Sequence, residues 1–247
     1  MKILFAIPSK NRVEILKKFT YAWLQNLPFD WAVFVEPQDF KAYEDAGIKN
    51  LVCIDDNNKG LCYAKSQIKK YAIKNKYDLI FKVDDDTKAF TDYRNKTDAE
   101  KTVKVLEKFI PQAILKFKKH DRLGAIAFPY SFHLFDKVEW KPVKKLQSCY
   151  LIRAEHLVNE KYMFEVFEDF GTGLDLLVKG FKIFKHCLIG IEQGVAVGEG
   201  TGGLQDFDRA EIALRSADTL RRLYPPLNFK AVDKIWRIEP DIRSIKL

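Results

Sequence analysis

Short apolar runs alternate with longer amphipathic stretches along the first 90 residues of the chain. The short runs are rich in β-branched and aromatic residues, whereas the longer stretches repeat apolar residues at helical spacing. Strands that alternate with helices predict a mostly parallel sheet that is covered by helices on both faces. We predict strands at 3–8, 31–36, 51–54 and 77–83, and helices at 11–26, 40–46 and 61–75.

The remaining sequence continues this pattern less regularly. We predict helices at 98–119, near 168 and at 208–223, and strands at 123–130, 148–153 and 181–189. A polar, aromatic loop at 131–147 and a Gly-rich segment at 190–205 lie between these elements. Because no linker or repeat divides the chain, we predict a single α/β domain over 1–247 with a C-terminal helical extension.

The charge of the chain is concentrated in two blocks. The 247 residues carry a formal charge of +8, and 47% of them are hydrophobic, which excludes a disordered chain. Residues 59–82 hold seven Lys and one acid, and residues 100–145 hold eleven Lys or Arg and five acids, so each block carries +6. These blocks are either the solvated faces of helices or a cationic surface for a polyanion such as nucleic acid, and charge alone favours the first interpretation.

Several protein classes are excluded by simple patterns. The chain has no run of about 18 apolar residues, so we expect no transmembrane helix and no membrane partner. The apolar run at residues 3–8 is too short for a signal peptide. The four cysteines form no CxxC pair, which argues against a zinc site or a disulfide framework. We therefore predict a cytoplasmic protein with reduced thiols.

Three consecutive carboxylates, Asp84-Asp85-Asp86, follow the fourth predicted strand directly. Carboxylates repel one another and cannot enter an apolar core unpaired. If the alternation of the strand continues, Asp84 and Asp86 point to one side and Asp85 to the other. Two converging carboxylates favour a site for Mg²⁺ or Mn²⁺, and the alternative is an acidic turn that caps the next segment.

The triplet and three further motifs resemble the nucleotide-sugar-dependent glycosyltransferases of the GT-A fold. That family carries an Asp-x-Asp motif after its fourth strand, which 84–86 matches. Residues 7–12 (IPSKNR) are similar to its nucleotide-holding loop, and 58–65 (NKGLCYAK) to its Asn-x-Gly-x-x-x-Ala-Arg stretch, with Lys65 in place of Arg. Glu168-Asp169, before Leu176-Leu177 and 180–182 (GFK), resembles its acidic pair ahead of a helix.

This resemblance implies a Rossmann-like GT-A domain and a role for each matching residue. It implies a nucleotide-binding half at 1–90, an acceptor and catalytic half at 91–190, and a C-terminal loop and helix at 191–247. The donor, most simply a UDP-sugar, would contact Pro8, Ser9, Lys10, Arg12, Glu36, Gly60, Lys65, Asp84 and Asp85. Glu36 could accept hydrogen bonds from a base or ribose, although a solvated strand end explains it equally well.

The resemblance also implies a metal ion and a general base. Asp84 and Asp86 would hold Mn²⁺ or Mg²⁺, and His186 is either a third ligand or a histidine of the core. Asp169 is the first candidate for the general base and Glu168 the second. An ordinary helix N-terminus is the alternative interpretation of this acidic pair.

Short late matches point to a narrower group. Ile-Pro-Ser-Lys-x-Arg, Val-Asp-Asp-Asp, Thr201-Gly202-Gly203, Arg209 or Arg215, Leu223 and Tyr224-Pro225 resemble the phage DNA-modifying, TET-associated glycosyltransferases. This implies a hydroxymethylated pyrimidine in double-stranded DNA, such as 5-hydroxymethylcytosine, as acceptor, with His133 near its approach, and the host cytoplasm as location. The alternatives are a glycan or lipid-linked acceptor, a nucleotidyltransferase, and a non-catalytic DNA-binding protein. The oligomeric state is not predicted.

Overall fold

A computed structural model describes residues 1–93, 102–131, 138–158, 168–194, 218–220, 222–223, 228–232 and 237–241. The strands are β1 (Ile3–Pro8), β2 (Asp30–Val35), β3 (Leu51–Cys53), β4 (Leu79–Lys82), β5 (Thr87–Asp92), β6 (Leu123–Ala127), β7 (Trp140–Val143), β8 (Tyr150–Arg153), β9 (Lys182–His186), β10 (Ile189–Gln193), β11 (Asn228–Val232) and β12 (Arg237–Asp241). The helices are α1 (Val13–Lys18), α2 (Thr20–Leu24), α3 (Pro37–Asp45), α4 (Gly60–Lys74), α5 (Thr102–Lys119) and α6 (Glu168–Val178). A short 3-10 helix spans Ala154–His156.

Eight strands form one sheet in the order β3-β2-β1-β4-β8-β6-β9-β7. Strands β1 to β4 are parallel, β6 and β9 run in the same direction as these four, and β8 and β7 run opposite. The predicted α/β fold with a mostly parallel sheet is therefore confirmed. The carboxyl ends of six strands meet at one edge, which is where open α/β sheets bind their ligands.

Alternating residues of the central strands supply two separate cores. Phe5 and Phe81 face one side of the sheet, where they pack with Phe109 of α5. Leu4 and Ile80 face the other side, where they pack with Ile68 of α4. A strand with apolar side chains on both faces is the pattern of a parallel sheet that is buried by helices on both sides.

The two lysine-rich blocks are separated by this arrangement. Helix α4 carries most of the first block and α5 much of the second, and the two helices cover opposite faces of the sheet. The exposed lysines of α4 and α5 therefore do not form one surface. Two lysines of the first block, Lys65 and Lys82, are completely buried and are not part of any surface.

Some elements differ from the sequence prediction for local reasons. The predicted helix at 11–26 is two short helices, because the backbone at Phe19 (φ −114°, ψ −83°) leaves the helical region. The predicted strand at 181–189 is two strands that belong to different sheets, since β10 pairs with β5. Strand β7, with Lys141 and Pro142 at its centre, lies at a sheet edge and lacks the apolar alternation that would have indicated it.

The C-terminal region is described only in part. Residues 218–220 and 222–223 are helical, as predicted, and β11 and β12 pair as an antiparallel hairpin that we did not predict. The first ten residues of the predicted helix at 208–223 lie outside the described residues. Within the described ranges, no helix is both long and apolar enough to cross a membrane.

Candidate active site

The acidic triplet lies in the turn between β4 and β5, at the carboxyl edge of the sheet. The backbone of this turn is fixed from outside, because Thr20 Oγ1 donates to the carbonyl of Asp84 (2.7 Å) and the Gly194 amide donates to that of Asp86 (2.7 Å). β4 ends at Lys82, so the alternation of the strand does not continue through the triplet. The predicted grouping, with Asp84 and Asp86 on one side and Asp85 on the other, is wrong, because Asp85 and Asp86 contact the same guanidinium group and Asp84 contacts a lysine.

Asp85 and Asp86 share one guanidinium group. Arg12 contacts Asp85 Oδ1 through Nη1 at 2.9 Å and Asp86 Oδ2 through Nη2 at 3.2 Å. Asp85 also accepts a hydrogen bond from Ser9 Oγ (2.6 Å), and Tyr43 Oη lies 2.7 Å from that hydroxyl. Arg12, which the resemblance placed on the donor phosphates, is thus paired with the acids. It ties the loop after β1 to the triplet.

Asp84 is paired with a lysine from the strand that precedes it. Lys82 Nζ donates to Asp84 Oδ1 and to the carbonyl of Ser148 (2.7 Å). Lys82 is 1% exposed, and its neighbours along β4 are the buried Ile80, Phe81 and Val83. No sequence motif assigned a role to Lys82, although a lysine in an apolar strand two residues before three acids is a signal that could have identified it.

A second buried lysine joins the acidic pair at the start of α6. Lys65 Nζ lies 2.6 Å from Asp169 Oδ1 and 3.3 Å from Glu168 Oε1, and the Lys65 side chain is fully buried. The ring of Tyr150 lies between the two lysines, 5.3 Å from Lys65 Nζ and 5.9 Å from Lys82 Nζ. The resemblance implied that Lys65 contacts the donor, whereas in the structure Lys65 forms an ion pair with Asp169, the predicted general base.

Burial and pairing shift the pKa values of this cluster in opposite directions. Burial raises the pKa of Asp85 to about 7, although Arg12 and Ser9 act against this shift. Burial likewise raises the pKa of Asp84 and of Glu168. Burial alone would lower the pKa of Lys65, but the Asp169 and Glu168 carboxylates outweigh it and hold that pKa well above its usual value.

Residues from three elements form a polar group beside the triplet. Lys10 Nζ lies 2.6 Å from Asn58 Oδ1 and 3.4 Å from Glu36 Oε2. Pro8 ends β1 directly before this loop. Gly60 begins α4 with φ +82°, and a Cβ built there would meet no atom within 4 Å. The side chain that Gly60 lacks would therefore point into open space, two residues after Asn58.

His186 is not brought to the triplet. It ends β9, three strands away from β4 in the sheet, which at about 4.8 Å per strand is about 14 Å. Its ring packs edge-on against Phe109 and Trp140, and its Nδ1 accepts a hydrogen bond from the Ile189 amide. Of the two interpretations of His186, a third metal ligand or a histidine of the core, the structure agrees with the second. No group of three or more His, Cys, Asp or Glu arranged to hold a metal ion occurs in the part of the chain that the structure describes.

Other sequence-derived candidates have mixed outcomes. Tyr130 donates to or accepts from Ser148 Oγ (2.8 Å), and Phe128 stacks on Phe81 in the core. His133 and the Gly-rich stretch at 198–203 lie outside the described residues, as do Arg209 and Arg215. The described candidates that meet at one edge are the loop after β1, Glu36, Gly60, the triplet, Lys65 and the acidic pair.

Several solved structures have folds similar to that of this chain. GalNAc-T7, solved with UDP, GalNAc and Mn²⁺, superposes with a TM-score of 0.50 at 12% identity, over 78% of this chain and 44% of that one. TarS from S. aureus (residues 1–349) gives 0.48 at 12% identity, over 90% and 66% of the two chains. A CMP:2-keto-3-deoxy-manno-octonic acid synthetase complexed with CTP gives 0.48 at 12% identity, over 88% and 100%. No curated protein sequence matches the chain.

The fold and the acidic edge define a glycosyltransferase of the GT-A type. The family model of the TET-associated glycosyltransferases matches residues 3–197, which include every described element of the site. The chain therefore belongs to the TET-associated glycosyltransferase family.

Proposed function

We propose that this glycosyltransferase moves a sugar from a nucleotide sugar, most simply a UDP-sugar, to a hydroxymethylated pyrimidine such as 5-hydroxymethylcytosine in phage DNA, with the help of Mn²⁺ or Mg²⁺. The observation that carries the proposal is one edge of the sheet that holds two acidic groups, the triplet after β4 and the pair at the start of α6. The first group would bind the donor diphosphate through a divalent ion, and the second would accept the proton of the acceptor hydroxyl.

The donor would bind along the loop after β1 and the start of α4. Lys10 supplies a positive charge, Glu36 a buried carboxylate for hydroxyl groups, and Gly60 a backbone without a side chain in the way. The resemblance implies the same assignment for Pro8 and Ser9. Because Ser9 already donates to Asp85, its role in this proposal is to hold the loop against the triplet.

The carboxylates of the triplet are chemically suited to a divalent ion, although the structure pairs each of them with a cation. Asp86 Oδ1 is buried and accepts no hydrogen bond from the described residues, so one carboxylate oxygen is available as a ligand. Five carboxylates (84, 85, 86, 168 and 169) and three cations (12, 65 and 82) meet here, which leaves a formal charge of −2 when all are ionised. Asp84 and Asp86 would hold the ion, and Mg²⁺-type sites commonly complete their ligands with substrate phosphates.

The ion would stabilise the negative charge that develops on the departing diphosphate. Asp169 would act as the general base. The acceptor hydroxyl oxygen bonds to the anomeric carbon, the bond from that carbon to the phosphate oxygen breaks, and the hydroxyl proton passes to Asp169. Lys65 Nζ lies 2.6 Å from Asp169 Oδ1 and so holds this carboxylate in place at the start of α6. Glu168, whose pKa is raised by burial, is the second candidate.

Support for a DNA acceptor comes from family membership and not from the distribution of charge. The exposed lysines of α4 and α5 lie on opposite faces of the sheet, so they do not offer a duplex one continuous basic surface. Any phosphate contacts of the acceptor would be made by residues closer to the carboxyl edge.

Mass spectrometry of nucleosides tests the proposal. DNA that contains 5-hydroxymethylcytosine is incubated with the protein, Mn²⁺ and a panel of nucleotide sugars, and is then digested. We expect the mass of one sugar on hydroxymethylcytosine, none on DNA with ordinary cytosine, and none with Asp84→Asn. Transfer to a glycan instead would overturn the DNA acceptor, and the absence of any donor turnover would overturn the donor assignment.

A further inference from the structure

We propose that Lys82 is a positioning residue that acts as the internal counter-ion of Asp84, orients that carboxylate and lowers the affinity of the acidic centre for a divalent ion. This inference rests on the proposed metal-dependent transfer. It concerns a residue that no motif assigns and that lies beneath the site, where it cannot touch a substrate at the surface.

The burial of Lys82 costs free energy. Its side chain is 1% exposed on a central strand, and its neighbours in sequence, Phe81 and Val83, are apolar. Removing an ammonium group from water costs several kcal/mol, and replacing a whole buried ion pair by well-packed apolar residues is commonly neutral or stabilising. Replacing Lys82 alone would leave Asp84 without its partner and would destabilise the fold, so it is the pair as a whole that stability does not require. The retained pair therefore points to a role in the site.

The contacts of Lys82 show what the charge can do. One partner is Asp84 Oδ1, and a second is the carbonyl of Ser148 at 2.7 Å. Because the carbonyl is part of the backbone, it fixes the ammonium group, and the ammonium group in turn fixes one oxygen of Asp84. Tyr150, directly opposite Lys82 across the β4–β8 pair, closes the site from the other side.

The charge balance of the centre depends on this lysine. With Lys82 the formal charge of the five acids and three cations is −2, and without it the charge is −3. Removing the positive charge of Lys82 makes the centre more negative by one unit, which attracts a divalent ion more strongly and leaves Asp84 free to move toward it. Lys82 therefore weakens the hold on the metal and keeps Asp84 in one orientation.

Mn²⁺ binding by Lys82→Gln and Lys82→Met tests the inference, measured by the loss of the free-ion signal in electron paramagnetic resonance. Glutamine retains an N–H donor for Asp84 and Ser148. The glutamine variant is therefore expected to fold even if the methionine variant does not. The control is Lys179→Met, which removes the lysine 2.6 Å from the buried Asp175 beyond the opposite end of α6. Circular dichroism confirms that each variant is folded.

We expect both Lys82 variants to bind Mn²⁺ about tenfold more tightly than the wild type, since a unit charge a few ångströms from the ion is worth at least that factor. We expect the kcat of the Lys82 variants to fall at saturating Mn²⁺. The Lys179 variant should match the wild type in Mn²⁺ affinity and in kcat. A folded Lys82→Gln protein with unchanged or weaker Mn²⁺ affinity overturns the inference. A wild-type protein that binds no Mn²⁺ overturns the proposed metal dependence instead.

Discussion

Replacing Lys65 with methionine should destabilise the protein far more than replacing an exposed lysine with the same contacts. Lys65 lies 2.6 Å and 3.3 Å from two carboxylates and is fully buried. Lys41 lies 2.6 Å from Asp45 and 3.3 Å from Glu44, but its side chain is 75% exposed. The two lysines thus differ in burial and hardly at all in the geometry of their ion pairs.

The expected magnitude follows from burial. Removing one partner of a buried ion pair leaves the other charge unpaired and costs about 3–5 kcal/mol. That is a large part of the 5–15 kcal/mol typical of a folded domain, and for a chain of this size it lowers Tm by about 10 °C. Lys41→Met should leave stability unchanged within error, because water and salt screen exposed pairs. Urea unfolding with intrinsic tryptophan fluorescence measures both.

A double variant separates the pair from the packing. Lys65→Met combined with Asp169→Asn removes the cation and one of its carboxylates together, so we expect it to recover at least about 1 kcal/mol of the loss. If Lys65→Met is no more destabilising than Lys41→Met, or if the double variant is as unstable as the sum of the singles, the account of a buried charge cluster is refuted.

Two further predictions use residues outside the charged cluster. Gly60→Ala and Gly47→Ala should each cost about 1 kcal/mol, because both glycines have positive φ (+82° and +76°) and open space around the missing Cβ. Only Gly60→Ala, two residues after Asn58 at the proposed donor site, should also raise the donor KM in a transfer assay; an equal rise in both variants would remove Gly60 from the donor site. Burial lowers the pKa of His156 below 6.5, so this residue binds more protons in the unfolded chain and its contribution to stability should fall as pH drops from 7 to 5. His156→Phe keeps the ring contact with Phe181 and removes that contribution, so its free energy of unfolding relative to the wild type should rise as pH drops from 7 to 5, and a difference that does not change with pH would contradict this.

The parts of the fold that depend on local patterns were predictable. β1, β2 and α4 each have strong periodicity and clear turn residues at their ends, and the structure places them within about two residues of the prediction. β5 and β7 were not predictable, because they are stabilised by partners distant in sequence: β5 by β10, and β7 by β9. Pairing of this kind leaves little trace in the strand itself.

The sequence alone determined which residues are candidates for the chemistry of this glycosyltransferase. Motifs located the acidic triplet, the loop after β1, Lys65 and the acidic pair, since the residue types and their positions after strands are local properties. Only the tertiary structure decided how these charges are paired. It places Arg12 on Asp85 and Asp86, Lys82 on Asp84, and Lys65 on Asp169, because burial makes an unpaired charge costly and each acid takes the nearest cation that the packing provides. It also places α4 and α5 on opposite faces of the sheet, which depends on how the strands are ordered and is not written in the charge of either helix.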